Sequence, residues 1–330
     1  MPTASGEAGG VRDNMVVQRA LSLIGWRFRI LPARRAVRKR HLAAALLTLT
    51  VGCAGCAQST GREQRLAAAP VARVVALKTS GPKVPLPAPA KSPQQLLSAA
   101  VGPLVASYDG HVSVAVDDLT TGQVASYGGA QEYDTASIVK VDILSTLLYE
   151  AQQEGRQLSA TEQELATTMI DNSDNGAASE LYDDDGGATG IEQANQAFGL
   201  TQTAVGTNGV WGLTTTTADD QVRLLRLIFT TPSALSPRSQ GYIKDLMGQV
   251  EPDQRWGVPA AADQGTPFAV KNGWLPNPTL WVINSIGEIT HDGQRMLIAV
   301  LSRDNETEAG GISLVADVAV RAADALAQAG

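Results

Sequence analysis

The chain has 330 residues, 44 % hydrophobic and 18 % charged, a composition that folds in water and buries a sizeable core. Its formal charge of −7 hides two opposed parts: residues 1–94 hold 15 Lys+Arg against 3 Asp+Glu, and the rest hold 11 against 30. An acidic body excludes nucleic acid as a partner, because phosphate binding needs clustered Lys and Arg. The two cysteines, Cys53 and Cys56, leave residues 57–330 with no disulfide framework, and after residue 50 the histidines are His111 and His291. No metal and no cofactor are expected.

Arg34, Arg35, Arg38, Lys39 and Arg40 directly precede the apolar run 42–51, which closes on Gly52-Cys53-Ala54-Gly55-Cys56. A basic stretch, a short apolar stretch and small residues read as an export signal, and about ten apolar residues are too few to span a bilayer. The arrangement resembles a bacterial lipoprotein signal of the actinobacterial kind, with Cys53 or Cys56 as the lipidated residue. Thr50 and Cys53 then stand where that motif usually carries Leu. Residues 57–92 are rich in Ala, Pro, Ser and Lys and read as a disordered tether. The expected organisation is therefore signal 1–56, tether 57–92 and catalytic domain 93–330. It places an exported monomer on the outer face of the cell membrane, held there by a lipid or an anchor.

Along the body, alternating valines in 110–126 around Thr120-Thr121-Gly122 predict a β-hairpin. Helical patterns follow at 137–154, 161–170, 176–182, 191–198 and 218–230. Ser159 and Glu162 have the spacing of a capping box. Asp183-Asp184-Asp185-Gly186-Gly187 lacks the alternate-residue ligand pattern of a calcium loop and reads as a helix ending at glycine. Residues 279–289 and 295–302 are β-rich runs separated by His291-Asp292-Gly293, a second hairpin, and 311–328 closes the chain as a helix. Strands at both ends with helices between predict an α+β fold, an antiparallel sheet built from both chain ends and packed against an α-helical subdomain.

Three short motifs carry chemistry. Ser137-Ile138-Val139-Lys140 opens a helix, and i, i+3 spacing puts the Lys140 ammonium on the same face as the Ser137 hydroxyl. A lysine whose pKa is lowered by burial and a nearby cation can take a serine's proton, and backbone N–H groups at the helix start can hold an acyl oxyanion. Ser173-Asp174-Asn175 lies between two helical segments, where Ser173 and Asn175 can enter one cleft; alone, it reads sooner as a cap of the helix starting at Gly176. Val270-Lys271-Asn272-Gly273-Trp274 offers a cation for a substrate carboxylate and a glycine for close backbone approach; alone, it reads as a turn with a solvated lysine.

In that order the motifs, with the threonine-rich stretch 212–219, resemble the serine penicillin-recognising superfamily, and within it the class A β-lactamase-like proteins, over residues 95–330. The resemblance implies that Ser137 is the acylated nucleophile, Lys140 its base and Ser173 a proton relay. Asn175, Lys271, Asn272, Gly273 and Trp274 would bind substrate, with the backbone N–H groups of Ser137 and Trp274 as oxyanion hole. Asn272 stands where the family usually has Thr or Ser for the substrate carboxylate, and its amide is expected to substitute. The Glu-x-x-Leu-Asn segment that activates the deacylating water is missing: no acidic residue lies between Gly199 and Thr217, and Glu192 sits on an earlier helical run. The expected function is hydrolysis of β-lactam amides through an acyl-enzyme. The alternatives are a peptidoglycan D-Ala-D-Ala carboxypeptidase acting on stem peptides and a penicillin-binding surface lipoprotein with little turnover.

Overall fold

Two distant stretches of chain, 111–127 and 269–305, build one sheet. In the computed structural model, which describes residues 91–128, 131–277 and 279–329, β1 (His111–Asp118) and β2 (Gln123–Tyr127) form the first hairpin. β5 (Ala269–Asn277), β6 (Leu280–His291) and β7 (Gln294–Asn305) form a meander near the end. The sheet order is β2-β1-β7-β6-β5, antiparallel throughout, and the β1–β7 pairing (Val114 opposite Val300) joins the two stretches. A two-stranded ribbon, β3 (Tyr133–Asp134) with β4 (Thr215–Thr216), stands apart. The signal, most of the tether, Cys53 and Cys56 lie outside the described residues. Among the described residues no helix is long and apolar enough to cross a membrane.

The period-2 alternation of a strand sends its side chains to two faces, and here both faces are covered. Val112, Val114 and Val116 of β1, with Ile298 and Val300 of β7, meet α1 (Pro93–Ala106) and α8 (Glu308–Ala327) through Leu97, Val101, Val315 and Val318. Ala115, Leu297, Ala299 and Leu301 face the helical lobe. That lobe holds α2 (Val139–Gln153), α3 (Ala160–Asp171), α4 (Asn175–Asp184), α5 (Gly187–Phe198), α6 (Ala218–Phe229) and α7 (Pro237–Met247). α2 is apolar nearly all round and runs through its core, with Ile143, Leu144 and Leu147 at 0–1 % exposure.

The turns form where the sequence places them. Gly122 (φ +76°) closes β1–β2 while the Asp118 carboxylate accepts from the N–H groups of Thr120 (2.8 Å) and Thr121 (3.2 Å). Asp292 and Gly293 (φ +49° and +73°) close β6–β7. Two helices exceed the sequence reading. α1 starts at the boundary read for the folded domain, capped by Ser92 with Pro93 in its first turn, and α7 starts at Ser236-Pro237, where the sequence reading has no helix.

Candidate active site

Ser137 sits in a 3₁₀ turn, Ala136–Ile138, that leads into α2. The turn is fixed from three sides. Thr135 N–H donates to Thr214 O at 2.8 Å, and the Asn284 amide on β6 donates to Asp134 O (2.8 Å) and Thr135 O (3.0 Å). On the third side β5, the sheet's edge strand, runs so close at Gly273 that a Cβ there would lie 2.7 Å from Ser137 N and 2.8 Å from Thr135 O. Only glycine allows that approach. Ala136 takes φ +48°, a conformation that costs an L-residue energy and is held by these contacts.

Lys140 is in the first turn of α2, fully buried, and its Nζ lies 3.0 Å from Ser137 Oγ. The same nitrogen reaches Ser173 O (2.6 Å), Ser173 Oγ (3.0 Å) and Asn175 Oδ1 (2.8 Å). Ser173 and Asn175 are delivered by the α3–α4 connection, where Ser173 has φ +57° and Asp174 caps α4 by accepting from Ala177 N–H at 2.7 Å. Asp174 thus serves the backbone, and its two neighbours turn toward Lys140. From the sheet side Lys271 Nζ, also fully buried, donates to Ser173 Oγ at 3.1 Å and Asn272 O at 3.1 Å. The Ser173 hydroxyl therefore stands between two amines, one from each lobe.

Burial and the neighbouring Lys271 hold Lys140 well below the usual lysine range, with Asp174 opposing. Burial brings Lys271 down to about 7, against the pull of Asp171 at the end of α3. Burial and Lys271 both favour the neutral amine of Lys140, the form that can take a proton from the serine 3.0 Å away. The Trp211 ring covers it with a centroid 5.2 Å from Nζ, and the indole N–H donates to Ser179 Oγ at 3.2 Å.

These groups floor a cleft of about 190 Å³ lined by Ser137, Ser173, Asn175, Asn172, Gln254, Leu213, Trp274 and Leu275, with Ala136 and Gly212. Trp274 packs edge-on against Trp256, ring centroids 6.0 Å apart. The structure brings Ser137, Lys140, Ser173, Asn175, Lys271, Gly273 and Trp274 together. It corrects Asn272. That side chain is fully buried, and its amide donates to Gln254 O (2.7 Å) and Trp256 O (2.9 Å), so it tethers the 254–256 loop and does not reach the cleft. The reason is geometric: residues 270–274 are strand β5, and Asn272 points away from the face that Lys271 and Gly273 share. Glu192 is exposed on α5 and does not line the cleft.

Asn172, Gln254, Leu213, Leu275 and Trp211 were not foreseen as parts of the site. The short apolar run Val210-Trp211-Gly212-Leu213, inside an otherwise threonine- and glycine-rich stretch, is the signal that could have found two of them.

A model of the Beta-lactamase enzyme family matches residues 96–163 and 156–326. Proteins of Mycobacterium tuberculosis and Mycobacterium bovis named "Putative lipoprotein LppW" are 35 % identical over 172 residues, 50 % of this chain and 54 % of theirs. The chain thus spans about half the length of the curated relatives it matches. Among solved structures, a class A β-lactamase from Bacteroides cellulosilyticus superposes with a TM-score of 0.64 at 17 % identity, over 72 % of this chain and 100 % of that one. An acyl-enzyme complex of PBP-A with penicillin-G superposes with a TM-score of 0.61 at 23 % identity, over 71 % and 96 %. At these identities the superpositions carry the fold alone, an α+β antiparallel sheet with a helical subdomain.

Proposed function

The chain belongs to the β-lactamase enzyme family, and from that premise we propose that it is a serine acyl-transfer enzyme that opens β-lactam amides through Ser137. The observation that carries this reading is a buried amine, Lys140 Nζ, 3.0 Å from Ser137 Oγ, with a second buried lysine, Lys271, behind Ser173. Lys140 takes the Ser137 proton as Oγ attacks the carbonyl carbon. The backbone N–H groups of Ser137 and Trp274 hold the oxyanion. The C–N bond then breaks, and Ser173 hands a proton to the leaving nitrogen from the Lys140 side, which leaves an ester on Ser137.

The second half of the cycle is weaker. No carboxylate lines the cleft among the described residues, so Lys140 itself must activate the water that cleaves the ester. This favours an acyl-enzyme that accumulates, as in a slow peptidoglycan peptidase or a penicillin-binding surface protein, over rapid β-lactam hydrolysis. An exported protein tethered through Cys53 or Cys56 fits either role, and the lipoprotein name of the mycobacterial relatives supports the tether.

Intact mass spectrometry of the protein with a penicillin, followed over time, tests the reading. A penicilloyl adduct that forms on Ser137 and persists is the expected result. No adduct on the parent, or an equal adduct on Ser137→Ala, would overturn it. Cys53→Ser combined with Cys56→Ser is expected to release the protein from the membrane fraction.

A further inference from the structure

The acidic balance of the body is reversed locally, at the lobe boundary. Of the 11 basic residues after residue 94, Lys140 and Lys271 are buried beside Ser173. Four of the others gather around two adjoining hollows that share Arg226, Thr230 and Thr231. The first hollow, of about 380 Å³, takes Arg295 of β7 from the sheet, and Arg226 of α6 and Lys244 of α7 from the helical lobe. The second adds Arg223. We propose that the first hollow binds a phosphate group, either the free ion or the monoester of a small molecule.

Three observations lead to it. First, the counter-charges lie underneath. The Asp117 side chain paired with Arg226 is 1 % exposed against 50 % for the guanidinium, and the Glu288 side chain paired with Arg295 is 19 % exposed against 53 %. Asp117 is the one carboxylate in the lining, so the charge that this hollow shows to solvent is positive. Arg226 commits its Nη1 to Asp117, and a guanidinium has five N–H groups to give. Second, Lys244 is in no ion pair among the described residues; its Nζ lies over the Phe229 ring, 5.3 Å from the centroid. Third, the end of α6 does not consume these cations. Carbonyls at a helix C-terminus attract Lys and Arg. Here neutral groups donate to them instead: Thr230 Oγ1 to Arg226 O (2.8 Å), Ser233 Oγ to Leu227 O (2.6 Å), and Gln240 Nε2 to Leu227 O (2.9 Å) and Thr230 O (2.7 Å).

A phosphate presents its oxygens as a tetrahedron, enough to meet a guanidinium fork and an ammonium at once, whereas a carboxylate has two oxygens in one plane. The exposed Thr231 adds a hydroxyl donor. Charges are screened over about 8 Å at physiological salt, so a single phosphate responds to the hollow and not to the acidic body around it. A long polyanion would run onto that acidic surface and be repelled. The hollow shares no lining residue with the Ser137 cleft. α6 starts beside the serine turn, where Thr214 O accepts from Thr135 N–H, and its 12 residues carry it about 18 Å to Phe229. This is a second site, not an extension of the first.

The test titrates inorganic phosphate into the full chain at constant ionic strength and follows the backbone amide shifts of Gly122, Thr230 and Thr231 by NMR. The three are expected to move together and to saturate with a Kd of roughly 1–10 mM. Lys244→Ala and Arg295→Ala, both at the surface, are each expected to weaken binding about tenfold, the scale of one charge-assisted hydrogen bond. Arg238→Ala, at an exposed arginine outside both hollows, should leave the affinity unchanged. No saturable shift, or the parent affinity in either Lys244→Ala or Arg295→Ala, overturns the inference. A loss in Arg238→Ala as large as in those two, or acetate binding as tightly as phosphate, overturns it as well. Glycerol 3-phosphate separates the two sources: tighter binding than phosphate assigns the hollow to an esterified phosphate, weaker binding assigns it to the free ion, and either order upholds the site.

Discussion

Each lobe buries carboxylates, but on different terms. On the sheet side Asp117 of β1 is held by Arg226, and Asp118 is held by Thr120, Thr121 and the turn they form. In the helical lobe Asp142 of α2 has one partner, the Asn195 amide at 3.0 Å, and both oxygens of Asp185 lack a hydrogen-bond partner. Unpaired charge cannot stay charged in a core, so these groups keep their protons. Burial, with Asp220 nearby, raises Asp142 to about 7, and burial with Glu150 and Asp142 raises Asp185 to about 9. The same lobe supplies Lys140, an amine that burial pushes downward, the opposite way. Asp142, Asp185 and Lys140 are thus buried groups of the helical lobe pushed toward neutrality, although Asp220 of α6 is paired with Arg223 and Lys271 of β5 is pushed the same way.

The most damaging break in that contrast is to force a charge back onto the helical lobe at the site. Lys140→Arg installs a guanidinium that does not titrate, so it has no lone pair to accept the proton that Ser137 must give up. Acylation is expected to fall by ~10²–10³-fold, about as far as in Ser137→Ala. Lys271→Ala, on the sheet side, removes one of the causes that depress Lys140 and should slow acylation less. Pre-steady-state acylation by a chromogenic cephalosporin measures both. A Lys140→Arg enzyme that acylates at the parent rate would make the lysine structural.

The second break is by pH. A group whose folded pKa is raised stabilises the fold fully below its unfolded pKa, and that stability is lost as pH rises toward the folded value. For Asp142 the window runs from about 3.8 to about 7, and for Asp185 from about 3.8 to about 9. Inside it each group costs ~1.4 kcal/mol per pH unit, which for a body of this size is a Tm fall of roughly 3–5 °C per unit. Asp185→Asn should flatten the Tm profile between pH 5 and 8 and raise Tm at pH 8. A parent profile that is flat there would show that Asp185 is charged and paired in the fold.

How much of this was legible follows from particular residues. The two hairpins were, because Thr121-Gly122 and Asp292-Gly293 set tight turns between β-branched runs. The meeting of Ser137, Lys140, Ser173, Asn175 and Lys271 was, through the family resemblance of the three motifs in their order; the i, i+3 and i, i+2 spacings fix only which side chains within one motif can share a face. α1 was not: the start of the domain near residue 93 is legible, but Pro93 and Gly102-Pro103 hide a helix that the packing of Leu97 and Val101 against α8 stabilises. The buried state of Asp185 was not either. Beside Gly186 it reads as a helix end, whereas in the fold it is buried, with Gly190 packed so closely that a Cβ there would lie 1.5 Å from Asp185 O. Asn272 was misjudged because a turn and an edge strand aim neighbouring side chains differently.

A third break crosses the lobe boundary itself. Gly273→Ala places a methyl group against the backbone of Ser137 and Thr135, which no side-chain rotation relieves. It should cost about 1–3 kcal/mol, the usual scale of overpacking. It should also slow acylation, since β5 must move away from the serine turn. Thermal melts and acylation rates on the same variant separate the two effects; a variant that loses neither would mean that β5 has room to shift.

The smallest contrast lies in two helix caps of the same design, one in each layer. At α1 the Ser92 hydroxyl accepts from Gln95 N–H (3.3 Å) and the Gln95 side chain accepts from Ser92 N–H (3.0 Å). At α3 the pair is Ser159 and Glu162 (3.2 and 2.6 Å), with Arg156 on Glu162 at 2.9 Å. Ser92→Ala and Ser159→Ala should each cost ~1 kcal/mol, roughly 2–4 °C in Tm, without changing acylation. The caps differ in their third residue, since Gln95 does not titrate and Glu162 does. Burial pushes Glu162 upward, but hydrogen bonds from Ser159 and the Arg156 charge outweigh it and hold the carboxyl below its usual value. A depressed folded pKa gives stability above the unfolded pKa of about 4.3 and loses it as pH falls through the folded value. Ser159→Ala should therefore cost less at pH 3 than at pH 7, whereas Ser92→Ala should cost the same at both. Equal pH dependence in the two variants would show that Glu162 does not hold its cap through charge.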